Sequence, residues 1–152
     1  MIDPSPAAGN DLSGTWYVVR TSLPFWRRRS DPAIGYTPLP DGRVTDTVTY
    51  RRRGRERMVL GVDTPTGPGT WQWRGVGATR LLTSRWQVLA HEEPWLVTLF
   101  ERTPFTAAGV DVCWRVPAPE PDALARVCER LGDVPGAAPY VDRLFAPMHE
   151  RR

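Results

Sequence analysis

The sequence predicts an all-β protein, an eight-stranded antiparallel up-and-down barrel with one C-terminal helix packed outside it. Eight short runs of β-favouring residues are separated by hairpin-length links rich in Gly, Pro and Asp. The apolar period changes from strand-like to helix-like only after Pro117. Closure into a barrel is the surest way for so many short strands to leave no free sheet edge. A chain of 152 residues suits one such domain.

The strands follow from runs of β-branched and aromatic residues between turn signals. The predicted strands are residues 15–19, 33–39, 44–53, 56–62, 70–76, 84–91, 95–102 and 110–116. Asp41-Gly42 supplies the positive φ of a tight hairpin turn. Residues 22–31, rich in Pro and Arg, and residues 63–69, with two Pro and two Gly, are expected to be loops.

A helix over residues 121–131 is predicted from one apolar stripe. Leu124, Val127, Cys128 and Leu131 fall at the spacing i, i+3, i+4, i+7. Pro121 suits a first helical turn. We therefore expect a flexible N-terminus over residues 1–11, a single barrel plus helix over 12–134 and a C-terminal tail over 135–152.

Composition narrows the possible partners. All 20 basic residues are arginine, yet the net charge is only +3 and no nucleic-acid-binding motif is present, so a nucleic-acid partner is not expected. No apolar run reaches membrane-spanning length, and the first ten residues lack the pattern of a signal peptide, which favours a cytoplasmic protein. Cys113 and Cys128 are expected to be free, buried thiols. No metal-ligand spacing or cofactor motif is found, so no cofactor is expected. Oligomeric state is left open.

The stretch Gly14-Thr15-Trp16-Tyr17 opens the first strand. If Trp16 points inward, it plugs one end of the barrel, and the guanidinium of Arg115, near the end of the last strand, is the candidate lid over its ring. These residues, the strand order and the single helix resemble the lipocalin family, most closely its bacterial and plant members, over about residues 12–146. The resemblance implies a small hydrophobic ligand inside the barrel. The chain departs from the family pattern at His91-Glu92-Glu93-Pro94.

Alternate turns of such a barrel lie at opposite ends. Trp16 is expected at the closed end, together with the acid/base cluster of His91, Glu92 and Glu93, for which a solvated turn is the favoured interpretation. The loops expected around the mouth carry many of the arginines, namely Arg27, Arg28, Arg29, Arg51, Arg52, Arg53 and Arg55. These arginines have two interpretations. Either they form a cationic rim that attracts an acidic head group, or they reflect only the coding bias of a GC-rich genome.

We expect the cavity to bind a small hydrophobic or amphiphilic molecule with an anionic group. The predicted ligand-binding residues are Val18, Arg20, Val48, Tyr50, Met58, Leu60, Trp71, Trp73, Trp86, Val88, Val97 and Leu99. One alternative is an isomerase or cyclase of secondary metabolism that folds a flexible apolar substrate, with Tyr50, Asp46 or Arg20 as polar groups. Another is a protein-interaction barrel that uses its tail and Phe25-Trp26.

Overall fold

Eight strands form one closed antiparallel barrel in the order β1 to β8, as the sequence predicts. The computed structural model describes residues 11–150, so nearly all of the expected flexible N-terminus lies outside the described residues. The strands are β1 (Gly14–Thr21), β2 (Ser30–Pro38), β3 (Val44–Arg52), β4 (Arg55–Gly67), β5 (Thr70–Gly75), β6 (Thr83–Glu92), β7 (Trp95–Phe100) and β8 (Gly109–Trp114). Antiparallel pairing of β1 with β8 closes the barrel.

Two strand boundaries differ from the sequence expectation in a way that matters for the cavity. β4 continues to Gly67, so Asp63 lies in a strand and pairs with Trp73 of β5 rather than lying in a loop. Only Pro68 and Gly69 remain as the turn, where Gly69 has a φ of 68°. Pro65 is tolerated in β4 because the register shifts beside it, between Pro65 and Gly67.

The predicted helix is present as α1 (Pro121–Arg130) and packs on the outside of the barrel. Pro121 occupies its first turn, and the carboxylate of Glu120 accepts hydrogen bonds from the backbone N–H groups of Asp122 and Ala123. Its apolar stripe packs on outward-facing residues of three strands, forming an outer cluster. The core of that cluster is Val19, Val97, Val110, Val112, Trp114, Leu124, Val127, Leu131 and Ala137.

The loop between β1 and β2 fills the end of the barrel that the sequence analysis takes as the mouth. It forms a short 3-10 helix, Pro24–Trp26, and buries Trp26 in the inner cluster of the barrel. The rings of Phe25 and Trp26 meet Tyr50 edge to face at centroid distances of 5.8 and 6.0 Å. The guanidinium of Arg29 covers the Phe25 ring at 3.8 Å. Phe25, Trp26 and Tyr50 therefore form an aromatic cap at this end.

The C-terminal segment bridges a gap between β1 and β2. The two strands pair only where Gly14 to Tyr17 lie opposite Tyr36 to Ala33. Beyond that, Thr21 exchanges backbone hydrogen bonds with Phe145, and the Asp31 N–H donates to the Met148 carbonyl at 2.8 Å. β1 and β2 leave some of their backbone groups unpaired along this gap, and the C-terminal segment supplies hydrogen-bond partners for them.

Trp16 seals part of the opposite end. It is fully buried, and the Arg115 guanidinium lies 3.6 Å from its ring centroid, in the stack expected from the sequence. Arg115 also donates to the Ser13 carbonyl at 2.9 Å and forms two hydrogen bonds to Glu93. Gly14 is required beside it, because a Cβ there would lie 3.2 Å from Arg115 Nη1 and its φ is 100°.

A carboxyl group is buried beneath the aromatic cap. Asp111 of β8 is 1% exposed and accepts a 2.6 Å hydrogen bond from the Thr21 hydroxyl. Burial raises the pKa of Asp111 to about 7, although the hydrogen bond from Thr21 acts against this shift. Burial therefore makes this carboxyl hold its proton more tightly than an exposed one does.

We predict that Trp16→Ala lowers the free energy of unfolding by roughly 3–5 kcal/mol, because it empties a fully enclosed site. Trp71→Ala is the matched control and should cost less, since Trp71 is only half-buried. Arg115→Ala should cost less in the Trp16→Ala background than in the wild type, because that background has already lost the stack between the two residues. Urea unfolding measures the wild type, the three single variants and the double variant, and a Trp16→Ala variant as stable as Trp71→Ala would contradict the role of the plug.

A second prediction concerns pH. The unfolded Asp111 carboxyl has a pKa near 3.9 and the folded one about 7, so the folded state binds the extra proton between these values. The stability that this extra proton contributes is fully present below a pH of about 3.9 and is lost as the pH rises towards 7. The melting temperature should therefore fall less steeply between pH 5 and 7.5 in Asp111→Asn than in the wild type. Equal slopes in thermal melts would refute the shifted pKa.

Candidate functional site

A cavity of about 740 Å³ opens at the end of the barrel that carries Trp16. This differs from the sequence analysis, which puts the mouth at the other end, because the Phe25 and Trp26 rings fill that end instead. The cavity lies between the segment before β1, the β2–β3 turn and the β4–β5 turn. Its described lining residues are Asp11, Leu12, Ser13, Tyr36, Pro38, Gly42, Val44, Asp63, Pro65, Gly67, Pro68, Gly69, Trp71, Trp86 and Val88.

One wall of the cavity is the segment Asp11 to Ser13, and the plug holds it in place. The indole N–H of Trp16 donates to the Leu12 carbonyl at 2.9 Å, while Arg115 holds the next carbonyl, that of Ser13. Leu12 is 7% exposed and belongs to the inner cluster. The contacts of Trp16 and Arg115 therefore hold this segment between the side of the barrel end that Trp16 seals and the side where the cavity opens.

A second wall consists of aromatic rings. Trp86 of β6 is stacked with Tyr36 at a centroid distance of 5.7 Å and with Trp71 at 5.9 Å. Trp71 and Trp86 lie directly opposite each other on β5 and β6, so their rings share the inner face of the sheet. Tyr36 and Trp86 are each only 3% exposed, so the half-buried Trp71 contributes most of the ring surface that faces the cavity.

Two buried carboxyl groups lie next to this wall. Asp46 of β3 is 6% exposed and Asp63 of β4 is 0% exposed, and the two side chains are hydrogen-bonded to each other. The indole N–H of Trp86 donates to Asp63 Oδ1 at 3.0 Å. Burial raises the pKa of both carboxyl groups, and the charge of Asp63 adds to the rise at Asp46. The pair therefore holds a proton more tightly than ordinary carboxyl groups do.

The structure distributes the predicted ligand-binding residues over both faces of the barrel. Three of them line the cavity, namely Trp71, Trp86 and Val88. Four more belong to the inner cluster without lining it, namely Val18, Val48, Tyr50 and Trp73. The remaining five lie on the outside of the barrel.

Arg20 faces outward because of a β-bulge. The register between β1 and β8 shifts between Val18 and Arg20, so Arg20 pairs with Val112, whose side chain lies in the outer cluster. Simple alternation from Trp16 predicts the opposite face. The inward position passes to Thr21, which contacts Asp111.

Met58 and Leu60 are also on the outer face, where they are 64% and 38% exposed. The inner positions of β4 include Val59, which lies opposite the inward-facing Val48. Gly61 is the next inner residue, and a Cβ there would lie 1.9 Å from the Trp73 indole nitrogen. Glycine therefore makes room for the Trp73 ring.

Val97 and Leu99 belong to the outer cluster, beneath α1, while Leu96 and Phe100 of the same strand pack inside. β7 is covered on both faces, so its sequence is apolar almost throughout and alternation cannot identify the inner face.

The three catalytic candidates are not brought together. Tyr50 lies in the aromatic cap, Asp46 lies beside the cavity and Arg20 lies outside. Sequence reasoning missed Asp63 and Tyr36, which line the cavity. The available signals were the continuation of the β4 alternation through Val59, Gly61 and Asp63 and the position of Tyr36 in the predicted second strand.

Three of the seven arginines of the expected rim contact other parts of the protein at the capped end. Arg27 stacks over Phe145 at 4.2 Å, Arg29 covers Phe25, and Arg51 lies 3.8 Å from Glu150 and 4.0 Å from Glu56.

His91 lies at the other end of the barrel, near Trp16 and Glu93. The ring centroids of His91 and Trp16 are 5.7 Å apart, and His91 Nε2 lies 3.5 Å from Glu93 Oε1. Arg115, which hydrogen-bonds Glu93, lowers the pKa of that carboxyl. His91 and Glu93 thus belong to the surroundings of the Trp16 plug.

Within residues 11–150, no group of three or more His, Cys, Asp or Glu side chains is arranged to hold a metal ion. No helix in this part of the chain is long and apolar enough to cross a membrane.

Comparison with known proteins reveals similarity of structure but not of sequence. No protein-family model matches the chain, and neither does any curated protein sequence. The siderocalin Ex-FABP superposes with a TM-score of 0.69 at 14% identity, over 94% of this chain and 97% of that one. Apocrustacyanin C1 gives 0.69 at 9% identity, and lobster apocrustacyanin A1 gives 0.68 at 10%; each covers 91% of this chain and 78% of its own.

These neighbours share the closed eight-stranded barrel and agree with the family resemblance carried by Gly14, Trp16 and Arg115. At such low identities they establish the architecture. The chain has the lipocalin fold.

Proposed function

We propose that this protein binds a small, predominantly apolar molecule in the cavity at the Trp16 end of the barrel. The observation that carries the proposal is the cavity itself, about 740 Å³ in volume, open to solvent and walled by aromatic rings. Sites for small molecules are usually concave, apolar and of this size, with a few polar groups that fix orientation. The fold supports the proposal, since the structurally similar siderocalin Ex-FABP functions through dual ligand specificities.

Charge around the cavity favours a ligand without an acidic group over the anionic ligand expected from the sequence. The charged residues among the described lining are Asp11 and Asp63, both acidic. Arg51, one of the seven arginines of the expected rim, contacts Gly54, Glu56 and Glu150 at the capped end. An anionic group in the cavity would find no cationic side chain in the described lining and would meet these acidic residues instead.

An acid-catalysed isomerase or cyclase is the second candidate, and the hydrogen-bonded pair of Asp46 and Asp63 is the observation that favours it. Burial raises the pKa of both carboxyl groups, and a carboxyl group that holds its proton more tightly can serve as a general acid. The two candidates differ in the fate of the bound molecule. A ligand recovered unchanged supports binding, whereas conversion that is lost in Asp63→Asn supports catalysis.

Filling the cavity tests the first candidate. Val88→Trp places an indole among the lining residues and should abolish the fluorescence enhancement of N-phenyl-1-naphthylamine, a neutral apolar probe. Met58→Trp is the matched control, because the same substitution at an exposed outward position leaves the cavity unchanged. Melting temperatures check that both variants fold. Undiminished probe binding by folded Val88→Trp would contradict the proposal.

The position of the arginines generates a further prediction. Methyl 2-naphthoate should bind at least as tightly as 2-naphthoic acid, because the arginine-rich loops lie at the capped end and carboxyl groups lie at the cavity. Replacing Arg51, Arg52 and Arg53 together by Gln should leave both affinities unchanged in calorimetric titrations. A preference for the acid that disappears in the triple variant would restore the cationic rim.

A further inference from the structure

Exposed apolar side chains lie on loops at the capped end of the barrel. Alternate turns of an up-and-down barrel share one end, so the β1–β2, β3–β4, β5–β6 and β7–β8 connections all lie here. Leu81, between β5 and β6, is 84% exposed, and Phe105, between β7 and β8, is 77% exposed. Within residues 11–150 these are the two most exposed large hydrophobic side chains. Removing both from water would be favourable, and the protein itself does not do so.

The loops that carry these two side chains are neighbours. The Glu101 N–H donates to the Arg85 carbonyl at 2.9 Å, and each of these residues is four positions from one of the exposed side chains. The β7–β8 loop in turn meets the β1–β2 loop, since Ala107 and Arg27 line one recess of about 400 Å³. The connections at this end therefore form one surface.

Exposed arginines surround the apolar side chains on this surface. Those on the four connections and the adjoining strand ends are Arg27, Arg28, Arg52, Arg53, Arg55, Arg57, Arg80 and Arg102. Within residues 11–150 none of these eight forms an ion pair with a carboxylate. The exposed acidic residues of the same segments are Glu56 and Glu101, and the C-terminal segment beside them adds Asp142, Arg143 and Glu150. The capped end therefore presents a positive field to an approaching anionic surface.

An anionic lipid bilayer matches both features of this surface. Guanidinium groups pair with phosphate oxygens, and leucine and phenylalanine side chains enter the boundary between lipid headgroups and acyl chains. A nucleic acid would engage the arginines but would leave Leu81 in water. The two apolar side chains project from separate loops, so a fluid apolar layer accommodates them without a partner of matching shape.

We propose that the capped end docks on the surface of an anionic lipid bilayer, with Leu81 and Phe105 entering the headgroup region and the surrounding arginines paired with lipid phosphates. The cavity opens at the opposite end of the barrel, so docking in this way leaves its mouth facing solvent. This inference goes beyond the proposed function and does not depend on what the cavity binds.

Co-sedimentation of the whole chain with vesicles tests the proposal. One vesicle preparation is phosphatidylcholine alone, and the other contains about 30% phosphatidylglycerol. In about 0.1 M NaCl the protein should bind the anionic vesicles about tenfold or more tightly, and added salt should weaken this binding because exposed charges are screened. Equal binding to both preparations, or binding to neither, would overturn the proposal. Tighter binding to a short DNA duplex than to the anionic vesicles would also overturn it, because the arginines would then serve a nucleic acid.

A first pair of variants tests the apolar side chains. Leu81→Ser combined with Phe105→Ser should weaken binding to the anionic vesicles about tenfold, with little change in melting temperature, because both side chains are exposed. Val116→Ser is the matched control: Val116 is 48% exposed but follows β8 at the cavity end, so vesicle binding should not change. Undiminished binding by the folded double variant would refute insertion of these loops.

A second pair tests where the charge acts. Arg52→Gln combined with Arg55→Gln should weaken binding to the anionic vesicles severalfold, because it removes two cations from the docking surface. Arg43→Gln combined with Arg126→Gln is the matched control, since it removes the same charge from the β2–β3 turn and from α1. Equal losses in the two double variants would show that net charge alone attracts the vesicles and would refute a docking surface at the capped end.

Discussion

The stack of Arg115 on Trp16 determines how the open end of this barrel is arranged. The Arg115 guanidinium contacts the indole face, the Ser13 carbonyl and the Glu93 carboxylate, so it joins three separate parts of the chain. The edge of the same indole holds the Leu12 carbonyl. Because Leu12 and Ser13 line the cavity, the interaction that seals one side of the barrel end also builds a wall of the cavity on the other side. The plug and this wall of the cavity are therefore one structural unit.

The opposite end of the barrel is closed by a loop whose sequence shows no periodic pattern of apolar residues. Residues 22–31 have no alternation, and a Pro- and Arg-rich loop ordinarily lies at the surface. Here the loop instead contributes Trp26 to the inner cluster, and the C-terminal segment covers the neighbouring gap between β1 and β2. Strand order alone gives the end at which each turn lies. Which end is filled depends on how much apolar surface each loop can bury, and that requires the packed structure.

Fold and site differ in how far the sequence determines them, and particular residues show why. Turn signals and short β runs define eight strands, and one apolar stripe defines α1, because each depends on local chemistry. The inward face is a longer-range property. A bulge moves Arg20 outside, and coverage of both faces of β7 hides the orientation of Val97 and Leu99. In β4, Gly61 occupies an inner position where an alternating pattern would place an apolar side chain. Asp63 escapes prediction because Pro and Gly around it indicate a loop, although the strand runs through them.

Charge is distributed unevenly between the outside and the inside of this barrel. Arg27 and Arg29 stack on aromatic rings at the capped end, and Arg51 forms a surface ion pair that contributes little energy. Carboxyl groups lie inside, where burial opposes their ionisation and reduces stability near neutral pH. Asp111 offsets part of that cost through its hydrogen bond from Thr21. At Asp63 the hydrogen bonds with Asp46 and Trp86 act against the same rise in pKa, so this buried carboxyl also keeps polar partners inside the barrel.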